Sequence, residues 1–551
     1  MGIIKAVLTV LFKLLLTVAL ILGGIALYFY FQSFQVEERE DDPMVVNDIT
    51  TLNPIRVGKV VRPHSEQDII DAIRSTDGPI SIGGGRYSMG GQTAYPASLH
   101  FDMRSFNRIL ELDADNKRIR VQSGATWRQI QEYIDPHDLS IRVMQDFNNF
   151  TVGGSLSVNA HGRFNEEGPI IGTVRSIRII LADGKVYEAS RETNPALFYA
   201  AIGGYGGIGV ITEVELDLTD NIKLEREVKR LQFYEFPAEF LSQVLDNDQV
   251  VLHQGILYPP NYEVILDVLW KKTDKPLTVP DRLQKPVERQ WWSRPLVDWL
   301  STSDLLKLLR RLVVDPWLYD EPQVVWRNYE TSADLMSKGF ATSIDKTLAM
   351  REYFIPVDKF EIFVLKMRDV FMRHKVPILS VTIRFSRKDS ESLLAWAKTD
   401  VFSLIVIYQQ GRDEASLDKV HRWSQELVRA AIEAGGSYYL PFQIQHSVEQ
   451  FRQAYPRWAE FQQLKQLADP ENRFTNMLWS QNFPDLKPPP ARWPDPKQTE
   501  AEAEAEQQAV PPAEDTVVGS KSVASDSPES ADASPSATGP ETGATEPGEQ
   551  P

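Results

Sequence analysis

The apolar positions along this chain change spacing from one region to the next, and each spacing predicts a different element. Ile3–Phe31 is almost continuously apolar, with charges only at Lys5 and Lys13. Val57–Pro63 and Pro79–Ile82 are short apolar runs that read as strands, and Ile119–Gln122 alternates as a half-buried strand does. Ser65–Asp68 and Thr126–Gln129 have capping-box patterns. Each precedes apolar residues on one helical face, Ile69, Ile70 and Ile73 in the first case and Ile130 and Ile134 in the second. Ile177–Leu181 and Val186–Ala189 flank the turn Asp183–Gly184 as a hairpin, Pro195–Ile202 reads as a short helix, and Val210–Leu218 as a strand.

From about Ile222 the pattern changes. Val250–Tyr258, Val264–Trp270, Leu348–Ile355, Ile378–Phe385 and Phe402–Gln409 are strand-like and alternate with helical stretches, which predicts a sheet covered by helices. Within this region Arg294–Leu318 is strongly apolar, with Trp299, Leu305, Leu306, Leu309 and Val313. It reads as a core helix pair or as an interfacial segment touching a bilayer. An amphipathic helix is expected up to Leu467. Pro488–Pro551 is rich in Pro, Ala, Glu, Ser, Thr and Gly and nearly free of aromatics. Such a stretch cannot bury enough apolar surface to fold, so 486–551 is read as a disordered acidic tail.

At 551 residues the chain is too long for one core. It has no Cys, which excludes disulfides, thiolate metal sites, iron–sulfur clusters and Cys nucleophiles. No metal-ligand spacing appears, and no G-x-S-x-G elbow. The net charge of −17 is largely tail, and no basic stripe favours nucleic acid. Leu14–Phe31 is uncharged and, at about 1.5 Å per residue, nearly matches a ~30 Å hydrocarbon core. Residues 1–33 are therefore read as an uncleaved, single-pass membrane anchor ending in the aromatic run 28–31. Lys5 and Lys13 lie on its N-terminal side, which places the body on the non-cytoplasmic side.

The chemistry concentrates in two small-residue segments. Ile80–Gln92 (ISIGGGRYSMGGQ) follows a strand and holds Gly83, Gly84, Gly85, Gly90 and Gly91. Glycine frees the backbone to approach a ligand, and successive N–H groups can form an anion-binding nest. No Gly-Lys-Ser/Thr follows, as a nucleotide-hydrolysing P-loop needs. A literal G-x-G-x-x-G does occur at 204–209, but it runs from helix to strand, the reverse of a dinucleotide fingerprint. A plain structural turn or a phosphate cradle both fit 80–92. Gln145–Gly162 (QDFNNFTVGGSLSVNAHG) is a second small-residue loop. Its Thr151, Gly153, Gly154, Ser155 and Ser157 suit a phosphate or a flat ring pressed on the main chain. His161 ends that loop and is the candidate proton acceptor.

The order of these features resembles the flavin domain of the vanillyl-alcohol oxidase/p-cresol methylhydroxylase (PCMH-type) superfamily. The features are P-x-S-x-x-D, glycine loop, T-V-G-G-S loop ending in His-Gly, L-A-D-G hairpin and G-G-x-G-x-x-G-V-I-T. The pattern is most similar to sugar, alditol and aldonolactone oxidases and to decaprenylphosphoryl-ribose oxidase. The resemblance implies an α+β fold. A two-subdomain FAD-binding domain (45–222) would be joined to an α+β substrate or cap domain (223–436) and a C-terminal segment returning to the flavin (437–485). The transmembrane helix would precede these and the tail follow.

The resemblance implies FAD held by Gly83, Gly84, Gly85, Arg86, Tyr87, Ser88, Met89, Gly90 and Gln92 at the pyrophosphate. Thr151, Gly153, Gly154, Ser155, Ser157, Asn159 and Gly162 would lie near the ring, and Gly207, Ile208 and Ile211 near the adenine end. Many relatives carry a flavin-linking His in the first loop. Here the stretch is Gly85-Arg86-Tyr87-Ser88, so the FAD is expected to be non-covalent. By the same resemblance His161 lies by the flavin ring. The lysine that decaprenylphosphoryl-ribose oxidase has in its returning segment is missing from Tyr439–Gln445. Gln443 and His446 are candidate pocket residues. Arg351, Glu352, Tyr353 and Arg384 are either salt-bridged core residues or a polar clamp.

The implied reaction is FAD-dependent oxidation of a hydroxyl on a polyol, sugar, sugar lactone or lipid-linked sugar, with O2 or a quinone as electron acceptor. Reduction of an activated C=C bond is the alternative, as is a non-catalytic envelope protein that keeps the flavin fold.

Overall fold

The computed structural model describes residues 23–24, 42–165, 167–286, 293–334 and 345–490. The apolar run Ile3–Phe31 lies outside them except for Gly23 and Gly24. Residues 486–490 carry no helix or strand, and 491–551 also lie outside. Among the described residues no helix is long and apolar enough to cross a membrane.

The capping boxes read from the sequence open the helices Glu66–Arg74 and Trp127–Ile134, each with reciprocal side-chain bonds at its N-terminus. Glu66–Arg74 crosses over between the parallel strands Lys59–Val61 and Ile80–Gly83, which flank the central strand Leu99–Asp102. Its Ile69, Ala72 and Ile73 pack on Ile80, Leu99 and Phe101. The second subdomain is an antiparallel sheet in the order Val186–Ser190, Val174–Ile180, Val210–Asp220, Arg118–Gln122, Ile109–Asp113. Leu139–Ile141 pairs with the far end of Val210–Asp220.

The remainder is an eight-stranded antiparallel sheet. Its order is Val324–Trp326, Lys223–Gln232, Val264–Lys272, Val250–Leu257, Ile378–Ser386, Val401–Gly411, Lys346–Pro356, Ser437–Tyr438. The helices Phe360–His374 and Glu414–Glu433 cover one face, and the other face looks onto the part of the chain that carries the two smaller sheets. Strand alternation therefore divides neighbouring side chains between two environments. On Lys346–Pro356, Arg351 lies over the Trp423 ring at 5.8 Å and Tyr353 against Phe363 at 5.6 Å, both on the helix side. Met350 and Glu352 point the opposite way.

The chain's end closes its beginning. Ile80 N–H donates to Arg473 O at 2.6 Å and Thr475 N–H to Ile80 O at 2.9 Å, adding an extended segment to the edge of the parallel sheet. Arg473 donates to Ile73 O and Ala182 O. The buried Lys465 Nζ donates to Gly207 O (2.8 Å), Phe474 O (2.7 Å) and Asp469 (3.1 Å).

Two expectations are corrected. The second small-residue segment is a loop only as far as Thr151. Val152–Ser157 is a short helix, because Thr151 caps it by accepting from Gly154 N–H. Arg294–Leu318 is not a core helix pair: Val297 packs inward, but from Leu305 onward Leu305, Leu308, Leu309, Leu312, Val313 and Trp317 are exposed, Leu306 is half-buried, and Lys307 and Asp315 are buried.

Candidate active site

Two adjoining cavities share Gly84, Ser88, Thr93, Thr151, Gly154 and Val158 and so form one continuous space. The strand Ile80–Gly83 delivers the glycine loop to one wall of this space, and the helix Val152–Ser157 delivers the other. The walls meet at Gly84, where an added Cβ would overlap Thr151 Oγ1. The glycines serve closeness more than φ freedom: in this loop the left-handed residues are Arg86 (φ 61°) and Gly91 (φ 76°).

The smaller cavity ends among Ile82, Met103, Ile208 and Ile211, and Ser123 Oγ on its wall is buried without a protein partner. The larger one ends among Tyr87, Phe147, Phe150, Tyr439 and Phe442, with His161, Glu352, Asp146 and Arg384 as its titratable groups. Apolar walls at both ends, a waist of backbone and small hydroxyls, and an unpartnered hydroxyl suit FAD: adenine at one end, pyrophosphate at the waist, ring at the other.

The expected cofactor residues divide accordingly. Gly84, Gly85, Arg86, Tyr87, Ser88, Gln92, Thr151, Gly153, Gly154, Ser155, Ser157, Ile208 and Ile211 line the space. Gly83, Met89, Gly90, Asn159, Gly162 and Gly207 do not, and each has another task. Gly83 packs on the His100 ring. Met89 is buried in an apolar cluster with Leu348. Gly90 N–H donates to Gln92 Oε1. The Asn159 side-chain amide donates to Asp389 and Ser392. Gly162 sits against Phe164, and Gly207 presents its carbonyl to Lys465. Gln92 also splices segments together: its Nε2 donates to Leu440 O and Phe442 O, both at 2.7 Å.

His161 lies where the second segment meets the large sheet. Its Nε2 is 2.6 Å from Glu352 Oε1, both groups are buried, and its Nδ1 has no protein partner. Trp396, Phe354 and Tyr439 pack around the ring at 4.8, 5.5 and 5.9 Å. Ser403 donates to the same Glu352 oxygen. A carboxylate on Nε2–H fixes the tautomer and leaves the Nδ1 lone pair as the free acceptor. Asp146 is unsuited to that role. Burial alone would raise its pKa, but Arg384 and Arg163 hold it below the usual carboxylate range. Burial, with Asp334 adding to it, pushes the Tyr87 phenol up to about 12, so it remains protonated and hydrogen-bonded to Asn149.

Gln443 and His446 stand apart from this space. The polypeptide turns behind Tyr439–Phe442, and both line a smaller neighbouring cavity with Arg351 and Tyr353, which shares Glu352, Tyr439 and Phe442 with the larger one. His446 Nε2 is 3.1 Å from Asn482 Oδ1, and burial lowers its pKa to about 4. Glu352, Asp146 and Arg384 reach the site from segments far apart in sequence. Glu352 and Arg384 stand out in the sequence as charges on apolar strands, where a polar clamp is one of two readings; Asp146 is not singled out.

This combination defines a two-part flavin-binding fold with a buried acid–imidazole pair beside the ring end. Residues 58–190 match the family described as FAD binding domain, and residues 214–483 match D-arabinono-1,4-lactone oxidase. The chain is 23% identical over 440 residues to L-gulonolactone oxidase of Mus musculus, covering 78% of this chain and 94% of that protein. It is 22% identical over 484 residues to decaprenylphosphoryl-beta-D-ribose oxidase of Mycolicibacterium smegmatis, covering 79% and 94%. It is 26% identical over 197 residues to a mitochondrial L-galactono-1,4-lactone dehydrogenase of Oryza sativa, covering 35% and 33%. The chain belongs to the PCMH-type FAD-dependent oxidoreductases of aldonolactone-oxidase pattern.

Proposed function

We propose that this protein oxidises a hydroxyl group of a polyol, sugar, sugar lactone or lipid-linked sugar, and that His161 takes the hydroxyl proton. The observation that carries this reading is the buried His161, which lines the cavity, is tied by Nε2 to Glu352 and keeps a buried Nδ1 without a partner among the described residues. Bound FAD supplies the two-electron acceptor. Gly84–Ser88 and Thr151–Ser157 hold that cofactor without a covalent link. Glu352 orients the imidazole and stabilises it once protonated, while Ser403 fixes the carboxylate. Arg384, bridged to Asp146, offers a cationic hydrogen-bond donor to substrate oxygens. Phe147, Phe150 and Phe442 keep water from the ring end.

The names of the relatives, two acting on sugar lactones and one on a lipid-linked ribose, support the substrate class. The run Ile3–Phe31 supports a membrane anchor with the body on the non-cytoplasmic side, where O2 or a quinone reoxidises the flavin. The deciding experiment is anaerobic titration of the purified yellow protein with polyols, aldonolactones and polyprenyl-phosphate sugars. Substrate alone should bleach the flavin. Bleaching only by an added reductant, followed by reoxidation with an activated alkene, would reverse the direction of the chemistry.

A further inference from the structure

The segment after the helix Ser293–Thr302 is inside out. Asp304–Leu309, Arg310–Val314 and Asp315–Tyr319 run on from one another as helical turns. Leu305, Leu308, Leu309, Leu312, Val313 and Trp317 recur at the i, i+3, i+4, i+7 spacing of one helical face. In a soluble protein that face turns inward. Here it turns outward: Leu305 is 66% exposed, Leu312 60%, Val313 60% and Trp317 76%. Two polar residues are inside instead. Lys307 and Asp315 are buried, and Arg310 reaches Asp315 (3.4 Å) and Leu379 O (3.5 Å). The arrangement differs from Glu414–Glu433, which buries Trp423, Leu427 and Val428 in the ordinary way.

We propose that residues 305–318 form an interfacial helix that seats the body on a phospholipid bilayer. A contiguous exposed stripe of this size marks an interaction surface. Its composition suits lipid, with aliphatic side chains and one Trp, while Lys307 and Arg310 are paired with Asp304 and Asp315 and leave Arg311 as the cation beside the stripe. The choice of lipid over a protein partner rests on the proposed N-terminal anchor. Residues 32–41 extend at most about 35 Å, so a body tethered by them stays within reach of the membrane surface. The stripe is also one helix from the cavity. Val297 of Ser293–Thr302 joins the apolar cluster that holds Tyr87, Phe147, Met350 and Phe442.

The chain has no cysteine, so a single introduced thiol reports without background. Full-length Leu312→Cys and Leu467→Cys proteins, each labelled with an environment-sensitive fluorophore, are reconstituted into phosphatidylcholine/phosphatidylglycerol vesicles with or without brominated lipid. Leu467 is 78% exposed and far from the stripe in sequence, so it serves as the reference. Brominated lipid should quench the probe at 312 at least twofold and leave the probe at 467 unchanged. A probe at 312 that brominated lipid does not reach overturns the proposal, whether the probe is wet or is shielded by the N-terminal run or a second copy. The anchor is read separately, by flotation of Leu312→Glu/Trp317→Glu. This variant should still float if Ile3–Phe31 spans the bilayer. If it sinks, the anchor reading fails and the quenching result stands by itself. Retained flavin absorbance certifies the fold in every arm.

Discussion

His161 and Glu352 stand 191 residues apart in the chain, yet their side chains meet at 2.6 Å, buried on the cavity wall. One closes the small-residue segment of the flavin-binding part; the other projects from the large sheet. His161→Ala should slow anaerobic flavin bleaching by substrate about 10²-fold or more, at unchanged FAD content. Glu352→Gln keeps the shape and removes the charge, so it should slow bleaching less and move the pH profile. Stopped-flow absorbance across pH reads both, and an unchanged rate in His161→Ala removes the imidazole from the mechanism.

Gln443 and His446 face a different cavity. Gln443→Ala should alter the bleaching rate by less than about threefold, the scale of an indirect effect rather than of a lost acid or base. A hundredfold loss would return it to the reacting centre.

At the cofactor waist, a side chain on Gly84 must displace Thr151. Gly84→Val should therefore purify colourless, with the circular dichroism of the wild type. Acid or heat denaturation of the wild type should release all the flavin into the supernatant. Flavin that remains on the denatured polypeptide would falsify the non-covalent reading of Gly85–Ser88.

His100 and His446 give stability a dependence on acid. Burial, helped by the charge of Arg86, pushes the His100 pKa down to about 3, and burial lowers His446 to about 4, from an ordinary 6.5. Below pH 6.5 the unfolded chain takes up protons at these positions and the native chain does not. Stability is therefore whole above pH 6.5 and falls as pH drops toward 4, by up to about 1.4 kcal/mol per pH unit for each imidazole. Thermal melts from pH 7 to 4.5 should show this slope, and His446→Gln should flatten it by about one proton's worth.

Local signals carried much of this fold. The two capping boxes, the L-A-D-G hairpin and five of the eight strands of the large sheet stand close to where the sequence pattern put them, whereas Lys223–Gln232, Val324–Trp326 and Ser437–Tyr438 do not read as strands. Glycine density pointed to the waist of the cavity, although Gly83, Met89, Gly90, Asn159, Gly162 and Gly207 do not line it. The ring end was harder to read. Glu352, Arg384 and Asp146 come together only through the packing of the large sheet on the flavin-binding part, and no local periodicity encodes that meeting. Gln443 and His446 sit on the correct segment, but the chain turns before reaching them. At 305–318 the apolar period was plain and the direction of its face was not, since spacing says nothing about which side meets the protein.

The pairing of Ile80 with Arg473 and Thr475 has a temporal meaning. The strand that carries the glycine loop is made early, and its edge partner is made about 400 residues later. At 5–20 residues per second, that edge waits roughly 20 to 80 s on the ribosome for the segment that covers it. Until then Ile80 has no partner on its outer edge, while Ile49, Asn53 and Asp102 already hold the loop that follows. A chain that ends before residue 473 keeps that sheet edge open.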